Sequence, residues 1–202
     1  MTTVLTGYTE EYEPLGSLTA SKWQAYADAQ GYRFKLVRDY PPPKHPCTHK
    51  LRHIAEALPS CDMLFWVGAD CLPTNPSIPL PVSLGKYEIA LSRDWYEGAK
   101  LGSTDAILVR NTPAMLALFK EAYALPQQER IGGYDLTALA TMFERNPEYA
   151  KRLVILPARR FQAVPRDCGF TNNPDPWQPG DFVLHATGVP MEQRIQIIKK
   201  YR

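Results

Sequence analysis

Four side chains set the chemistry open to this sequence: Asp70, His185, Asp135 and Lys50. Asp70 follows five consecutive apolar residues, Met63-Leu64-Phe65-Trp66-Val67, across a Gly68-Ala69 step. An unbroken apolar run of that kind reads as a strand covered on both faces, as in a parallel sheet. A carboxylate just past the carboxyl end of such a strand sits where open α/β sheets bind ligands. His185 ends a second short apolar run, Phe182-Val183-Leu184, shortly before Gly188. A buried, hydrogen-bonded histidine is the ordinary outcome there, and a metal ligand is the alternative that the strand end favours. Asp135 follows Gly132-Gly133-Tyr134 at the head of a helical pattern carried by Leu136, Leu139, Ala140 and Phe143. It is either an N-cap or a reactive-site carboxylate that two glycines let a substrate approach. Lys50 lies at the edge of an apolar stripe near the start of another helix, as a solvated lysine or as the partner of an anion at the sheet's edge.

The elements that must position these groups alternate. A strand over 4–8, a helix over 17–30 closed by Gly31, and a strand over 33–37 open a βαβ unit of the nucleotide-binding kind. Tyr8, just past the first strand, is placed to stack on a base or to serve as a plain turn residue. Prolines 73, 76, 79 and 81 are expected to stop the chain after Asp70 from continuing as strand or helix. Further strands are expected over 87–92, running on to Asp94, over 106–109 and over 153–156. Thr112-Pro113 starts a helix by cap and proline, with Met115, Leu118, Phe119 and Ala122 as its core face. A proline-, asparagine- and aspartate-rich loop over 161–177 and a basic helix over 191–202 complete the chain. His45, His49 and His53 recur every four residues, but Leu51, Ile54, Ala55 and Leu58 define the core stripe, and His49 and His53 are expected nearly opposite it. Lys50 and Arg52 beside them repel a cation, which argues against a metal site there.

With 202 residues, 45% hydrophobic and 22% charged, the chain fits one soluble domain, 1–202, with a full core. A formal net charge of +2 implies no general grip on nucleic acid or on a membrane surface. The four cysteines have no CxxC spacing, so free thiols in a reducing compartment are expected. No basic-then-apolar leader and no long apolar run is seen, which points to a cytoplasmic protein without a membrane partner.

The landmarks occur in a familiar order: the helix carrying Lys50, the segment 58–70, the segment 102–111, the helix start Asp135-Leu136-Thr137, and Gly180-Asp181-Phe182-Val183-Leu184-His185-Ala186-Thr187-Gly188. Together they resemble the retaining galactosyl- and xylosyltransferase family of fungal α-galactosyl/mannan-complex enzymes and plant xyloglucan xylosyltransferases. That resemblance implies the GT-A fold, a mostly parallel α/β sheet flanked by helices, with a nucleotide-sugar donor, usually UDP-linked, and Mn²⁺ (or Mg²⁺). Asp70 then matches the second aspartate of an Asp-x-Asp triplet, a direct metal ligand, and His185 the histidine that completes the metal site. Lys50 matches a lysine near the donor, and Asp135 an aspartate beside the reacting sugar. The sequence departs from the family at two places: Gly68 stands where the triplet has its first aspartate, and Ser103-Thr104-Asp105 replaces Asn-Thr-Gly. Asp94 is a candidate substitute for the missing carboxylate.

What the resemblance implies is a sugar transfer in which Asp70 and His185 hold a cation on the diphosphate and Asp135 acts at the sugar. The donor-binding set is Thr6, Tyr8, Lys50, Asp70, Ser103, Gly188 and Arg194. The acceptor is a glycan, a protein or a modified DNA base, the last with Arg159-Arg160 and Lys199-Lys200 on phosphates. A catalytically silent nucleotide-sugar or glycan-binding module is the alternative that the missing carboxylate keeps open.

Overall fold

The structure, a computed structural model, describes residues 1–93, 101–128 and 133–202; Asp94 and Gly132 lie outside them. The strands are β1 Thr2–Gly7, β2 Arg33–Val37, β3 Met63–Val67, β4 Cys71–Pro73, β5 Ile89–Ser92, β6 Ser103–Arg110, β7 Leu153–Leu156 and β8 Val183–His185. The helices are α1 Glu13–Gln30, α2 Pro46–Ala57, α3 Pro113–Ala124, α4 Tyr134–Arg145, α7 Met191–Tyr201 and the single turns α5 Pro147–Ala150 and α6 Ala158–Phe161. Six strands form one sheet in the order β2-β1-β3-β6-β5-β7, in which β6 alone runs against its neighbours.

Strand β3 is the middle of this mixed α/β sheet, and all five of its residues are buried. Its side chains alternate between two cores. Leu64 and Trp66 join Leu51, Ile54, Phe119 and Leu139 beneath α2, α3 and α4. Met63, Phe65 and Val67 join Trp23, Tyr26, Phe161 and Phe182 on the α1 side. Each such side chain contributes about 1.5–3 kcal/mol on burial, so a one-residue slip of β3 would be costly on both faces.

Helix α1 begins at Glu13, four residues earlier than the sequence pattern suggests, because Pro14 in its first turn needs no hydrogen-bond partner for a missing N–H. Its Gly16 lets Tyr8 lie against the helix: a Cβ there would come within 2.3 Å of the ring. Strand β6 likewise starts at Ser103, three residues before its apolar run, since the ladder to β5 extends to the Ser92–Ser103 pair.

Two expectations are corrected. The chain after Asp70 does continue as strand: β4 pairs antiparallel with β8 as Cys71↔His185, Leu72↔Leu184 and Pro73↔Val183. Pro73 is tolerated because its position opposite Val183 needs no donor toward β8; the next bond across is made by Thr74 N–H to the Phe182 carbonyl (2.9 Å). Second, His49 and His53 do not face solvent; they are 1% and 3% exposed. Helix α2 is covered on its second face too, by Tyr40 and by Tyr123 of α3, while His53 stacks on Trp66 with ring planes 7° apart.

Burial, helped by the charge of Arg52 and by His49, pushes the His53 imidazole down to about 4 from 6.5. The folded ring therefore binds its proton less readily than the unfolded chain does. Stability from this site is full above the ordinary histidine value and is lost as the pH falls toward 4. His53→Phe keeps the stacking and removes the titration. It is expected to spare about 2 kcal/mol of the stability lost between about pH 7.5 and pH 5, read by urea unfolding at the two pH values. Equal losses in both proteins would show that His53 is not the source.

Candidate active site

The β4–β8 pairing is what builds the site. Because Cys71 faces His185 across the ladder, and Ala186 N–H donates to the Asp70 carbonyl (2.9 Å), residues 115 apart in sequence are forced together. The imidazole Nε2 of His185 lies 3.4 Å from Asp70 Oδ1. The antiparallel partner of β3 brings a second carboxylate from the other side: Gly68 N–H donates to the Asp105 carbonyl (2.8 Å), and Asp105 Oδ2 is 3.5 Å from the same Nε2.

From these groups a chain of alternating charge runs through the protein. Arg194 Nη1 donates to Asp70 Oδ2 at 2.7 Å, and its Nε to the Val189 carbonyl at 2.8 Å. At the other end Lys50 Nζ donates to Asp105 Oδ1 at 3.0 Å, to the Thr104 carbonyl at 3.0 Å and to Asp135 Oδ2 at 2.8 Å. Thr104 Oγ1 donates to Asp135 Oδ2 at 2.6 Å. Burial alone would raise the Asp70 carboxyl, but His185 and the Arg194 guanidinium outweigh it and hold it below the usual carboxylate range. Burial would likewise lower Lys50, yet Asp105 and Asp135 hold its ammonium well above the ordinary lysine value.

This cluster closes one end of a cleft of about 550 Å³ at the carboxyl ends of β1 and β3. Gly68, Ala69, Asp70, Asp105, Lys50 and Arg194 line the charged end, and Tyr8, Tyr12, Tyr40 and Trp66 contribute aromatic wall. The Arg38 guanidinium already covers the Tyr8 ring, 4.2 Å from its centroid.

Of the residues singled out from sequence, Asp70, His185, Lys50, Asp135 and Arg194 are brought into one connected cluster. Lys50 is not a solvated lysine; it is 5% exposed. Asp135 is not the N-cap, a place taken by Gly133, and it does not line the cleft. Its carboxylate is 3% exposed and is turned onto Lys50 and Thr104, one layer behind the wall. Thr6, Ser103, Gly188 and His185 lie outside the cleft lining: the Thr6 hydroxyl donates to the Val67 carbonyl (2.8 Å), Ser103 Oγ accepts from Asp105 N–H (3.3 Å), Gly188 turns with φ 71° against Phe170, and His185 is 4% exposed, in contact with the lining residues Asp70 and Asp105. Asp105 and Gln162 were not among the expected site residues. Asp105 had a signal: it immediately precedes the apolar run 106–109, so an antiparallel β6 places it at the edge where β3 ends.

The donor set fits a divalent cation. Three carboxylates, Asp70, Asp105 and Asp135, face two fixed cations, Lys50 and Arg194, which leaves one negative charge in excess when His185 is neutral. The Gln162 side-chain amide contacts His185 Nδ1 and has a buried carbonyl oxygen without a partner among the described residues. An amide can turn either its N–H or its carbonyl to that nitrogen. With the carbonyl there, the ring keeps its proton on Nδ1 and presents the Nε2 lone pair toward the carboxylates, as a metal-binding histidine does. Cys71 Sγ is also within 4.8 Å of the Asp70 and His185 donors, but burial and the neighbouring Asp70 and Asp105 carboxylates hold it as a neutral thiol. The hard oxygens and the imidazole are thus the ligands on offer, a set suited to Mn²⁺ or Mg²⁺.

No protein-family model matches the sequence, and no curated protein matches it closely enough to be counted a relative. Solved structures do match. The chain is similar to a glycosyltransferase involved in glycosylation of the major capsid of PBCV-1, with 14% identity, a TM-score of 0.76 and 98% of both chains covered. It is similar to the galactosyltransferase LgtC in complex with donor and acceptor sugar analogues, with 13% identity, a TM-score of 0.60, and 98% of this chain and 95% of that one covered. A Drosophila β-1,4-galactosyltransferase 7 variant in complex with manganese, UDP-Gal and xylobiose matches at 13% identity and a TM-score of 0.54, over 93% of this chain and 71% of that one. The chain therefore has the fold of the GT-A glycosyltransferases.

Proposed function

We propose that the protein is a glycosyltransferase that moves a sugar from a nucleotide-diphosphate sugar, UDP-linked, to an acceptor hydroxyl, with metal assistance and retention of configuration. The observation that carries this reading is the meeting of Asp70 and His185, 3.4 Å apart, where Asp70 lines the charged end of an aromatic-walled cleft and His185 lies buried beside it. Solved neighbours of the same fold hold donor analogues, UDP-Gal and manganese, which supports the choice of ligands. Retention follows from the family resemblance.

Cleaving the bond between the anomeric carbon and the diphosphate builds negative charge on the departing oxygen and positive charge on the ring. A bound Mn²⁺ or Mg²⁺ supplies Lewis-acid neutralisation of the diphosphate. Asp70 and His185 are the residues that would hold it. Lys50 is fixed by two carboxylates and adds a permanent positive charge beside them; Arg194 orients Asp70 and contributes another. Asp135 acts through Lys50 and Thr104, setting the height of the ammonium on the cleft wall. Tyr8 and Tyr12 line this cleft and would border the nucleoside.

The acceptor is a glycan or protein hydroxyl in this reading. A modified-DNA acceptor draws less support, since Arg159 and Lys200, one from each basic pair, are held by Asp181 and Asp167. Among the described residues no helix is long and apolar enough to cross a membrane.

A thermal-shift panel of UDP-, GDP- and dTDP-sugars with and without Mn²⁺ tests the reading. A UDP-sugar at about 100 times its dissociation constant adds about 2.7 kcal/mol, which is several degrees in Tm for a chain this size. The expected result is a shift with UDP-sugars that needs Mn²⁺, accompanied by slow release of free sugar. Saturable binding with no sugar released under any metal would instead identify a silent binding module. No shift with any nucleotide sugar would refute the proposal.

A further inference from the structure

We propose that Asp105 is a third metal ligand, supplying from the antiparallel strand β6 the carboxylate that Gly68 does not provide; this rests on the metal-assisted reading above. The register of β3 and β6 pairs Val67 with Ala106, so the next residues outward, Gly68 and Asp105, are cross-strand neighbours. A Cβ built on Gly68 would lie 3.3 Å from Asp105 Oδ1, 3.4 Å from Asp105 Cβ and 3.1 Å from Asp70 Oδ1. A carboxylate at position 68 and the one at position 105 would thus compete for the same space. The chain keeps the negative charge at that spot and changes the strand that delivers it.

Two further observations separate a ligand from a mere counter-ion of Lys50. Lys50 already has a buried carboxylate partner in Asp135, with side-chain exposures of 6% and 5%, so the second carboxylate is surplus to its neutralisation. Asp105 uses only Oδ1 on Lys50; its side chain is 35% exposed, lines the cleft, and sets Oδ2 at 3.5 Å from His185 Nε2. Asp70 Oδ1 is 3.4 Å from the same nitrogen. Both carboxylate oxygens thus lie within 3.5 Å of the nitrogen that would share the cation; among the described residues the donor atoms within 4.8 Å of one another belong to Asp70, Cys71 and His185, so Asp105 would have to turn Oδ2 inward to join them.

The test is Mn²⁺ binding to the full chain in the presence of UDP, followed by the EPR signal of free Mn²⁺. The proteins are the wild type, Asp70→Asn, Asp105→Asn and the exchange variant Gly68→Asp/Asp105→Gly. Asp105→Asn is expected to weaken Mn²⁺ about tenfold or more, and the exchange variant to return it to within about threefold of wild type. A role confined to holding Lys50 would not be rescued by a carboxylate at position 68. Asp105→Asn that binds Mn²⁺ like wild type while Asp70→Asn does not would overturn the Asp105 assignment and leave the metal-assisted reading standing. Weakening that the exchange leaves unrepaired would also overturn it. Should Asp105→Asn fail to fold by far-UV circular dichroism, the exchange variant decides alone: tight Mn²⁺ supports the assignment, and a folded protein without it refutes it. Wild type that binds no Mn²⁺ with UDP would remove this inference and the metal-assisted reading together.

Discussion

Asp70→Asn is expected to lower Mn²⁺-dependent turnover of the nucleotide sugar by about 10²–10³-fold, with the far-UV spectrum unchanged. The asparagine keeps the shape and the hydrogen-bonding reach of the carboxylate but removes the charge that Arg194 and His185 both face. A cation held there would lose an anionic oxygen ligand, and with it part of the charge compensation it would supply to the leaving group. His185→Ala should act in the same direction, since it removes the imidazole between Asp70 and Asp105. The measurement is the initial rate of sugar release over a range of Mn²⁺ concentrations. Saturating metal should recover part of the Asp70→Asn loss, because the defect lies partly in metal affinity. Equal rates for wild type and Asp70→Asn at every Mn²⁺ concentration would show that the chemistry lies elsewhere.

How far the sequence led follows from which interactions are local. The apolar run of β3 needs no partner to be recognised, and its doubly covered position held residue by residue. The cap-and-proline start of α3 is as local, with Thr112 Oγ1 accepting from Met115 N–H. Strand β4 was missed because proline forbids a ladder bond only where one is needed, and Pro73 sits at a position that donates nothing to its partner segment, 110 residues away. His49 and His53 look like surface residues until the loop at Tyr40 and helix α3 cover the second face of α2. The same holds for Lys50, whose burial is possible only because two distant aspartates meet it. Asp105 escaped notice for a different reason: strand direction is not written in strand composition. Read as one more parallel strand, 106–109 would carry Asp105 to the far edge of the sheet; run antiparallel, it arrives beside Gly68.

Lys50→Met should cost about 3–5 kcal/mol of folding stability, a far larger effect than an exposed lysine could have. The methionine fills the same channel, so little cavity energy enters. What is lost is the cation between Asp105 and Asp135, and Asp135 is left as a buried carboxylate whose remaining side-chain donor among the described residues is the Thr104 hydroxyl. At about 2–4 °C per kcal/mol the melting temperature should fall by about 10 °C. A second substitution tests the cause: Asp135→Asn in the Lys50→Met background removes the stranded charge, and should return a good part of the loss even though it deletes another polar group. In a double-mutant cycle the two changes are then strongly non-additive. Lys50→Arg should not behave like wild type, because a planar guanidinium cannot replace a compact ammonium held between the Thr104 carbonyl and two carboxylates. A Lys50→Met protein within about 1 kcal/mol of wild type in urea unfolding would mean that the pair is solvated. The permanent positive charge assigned to the cleft wall would then lose its basis.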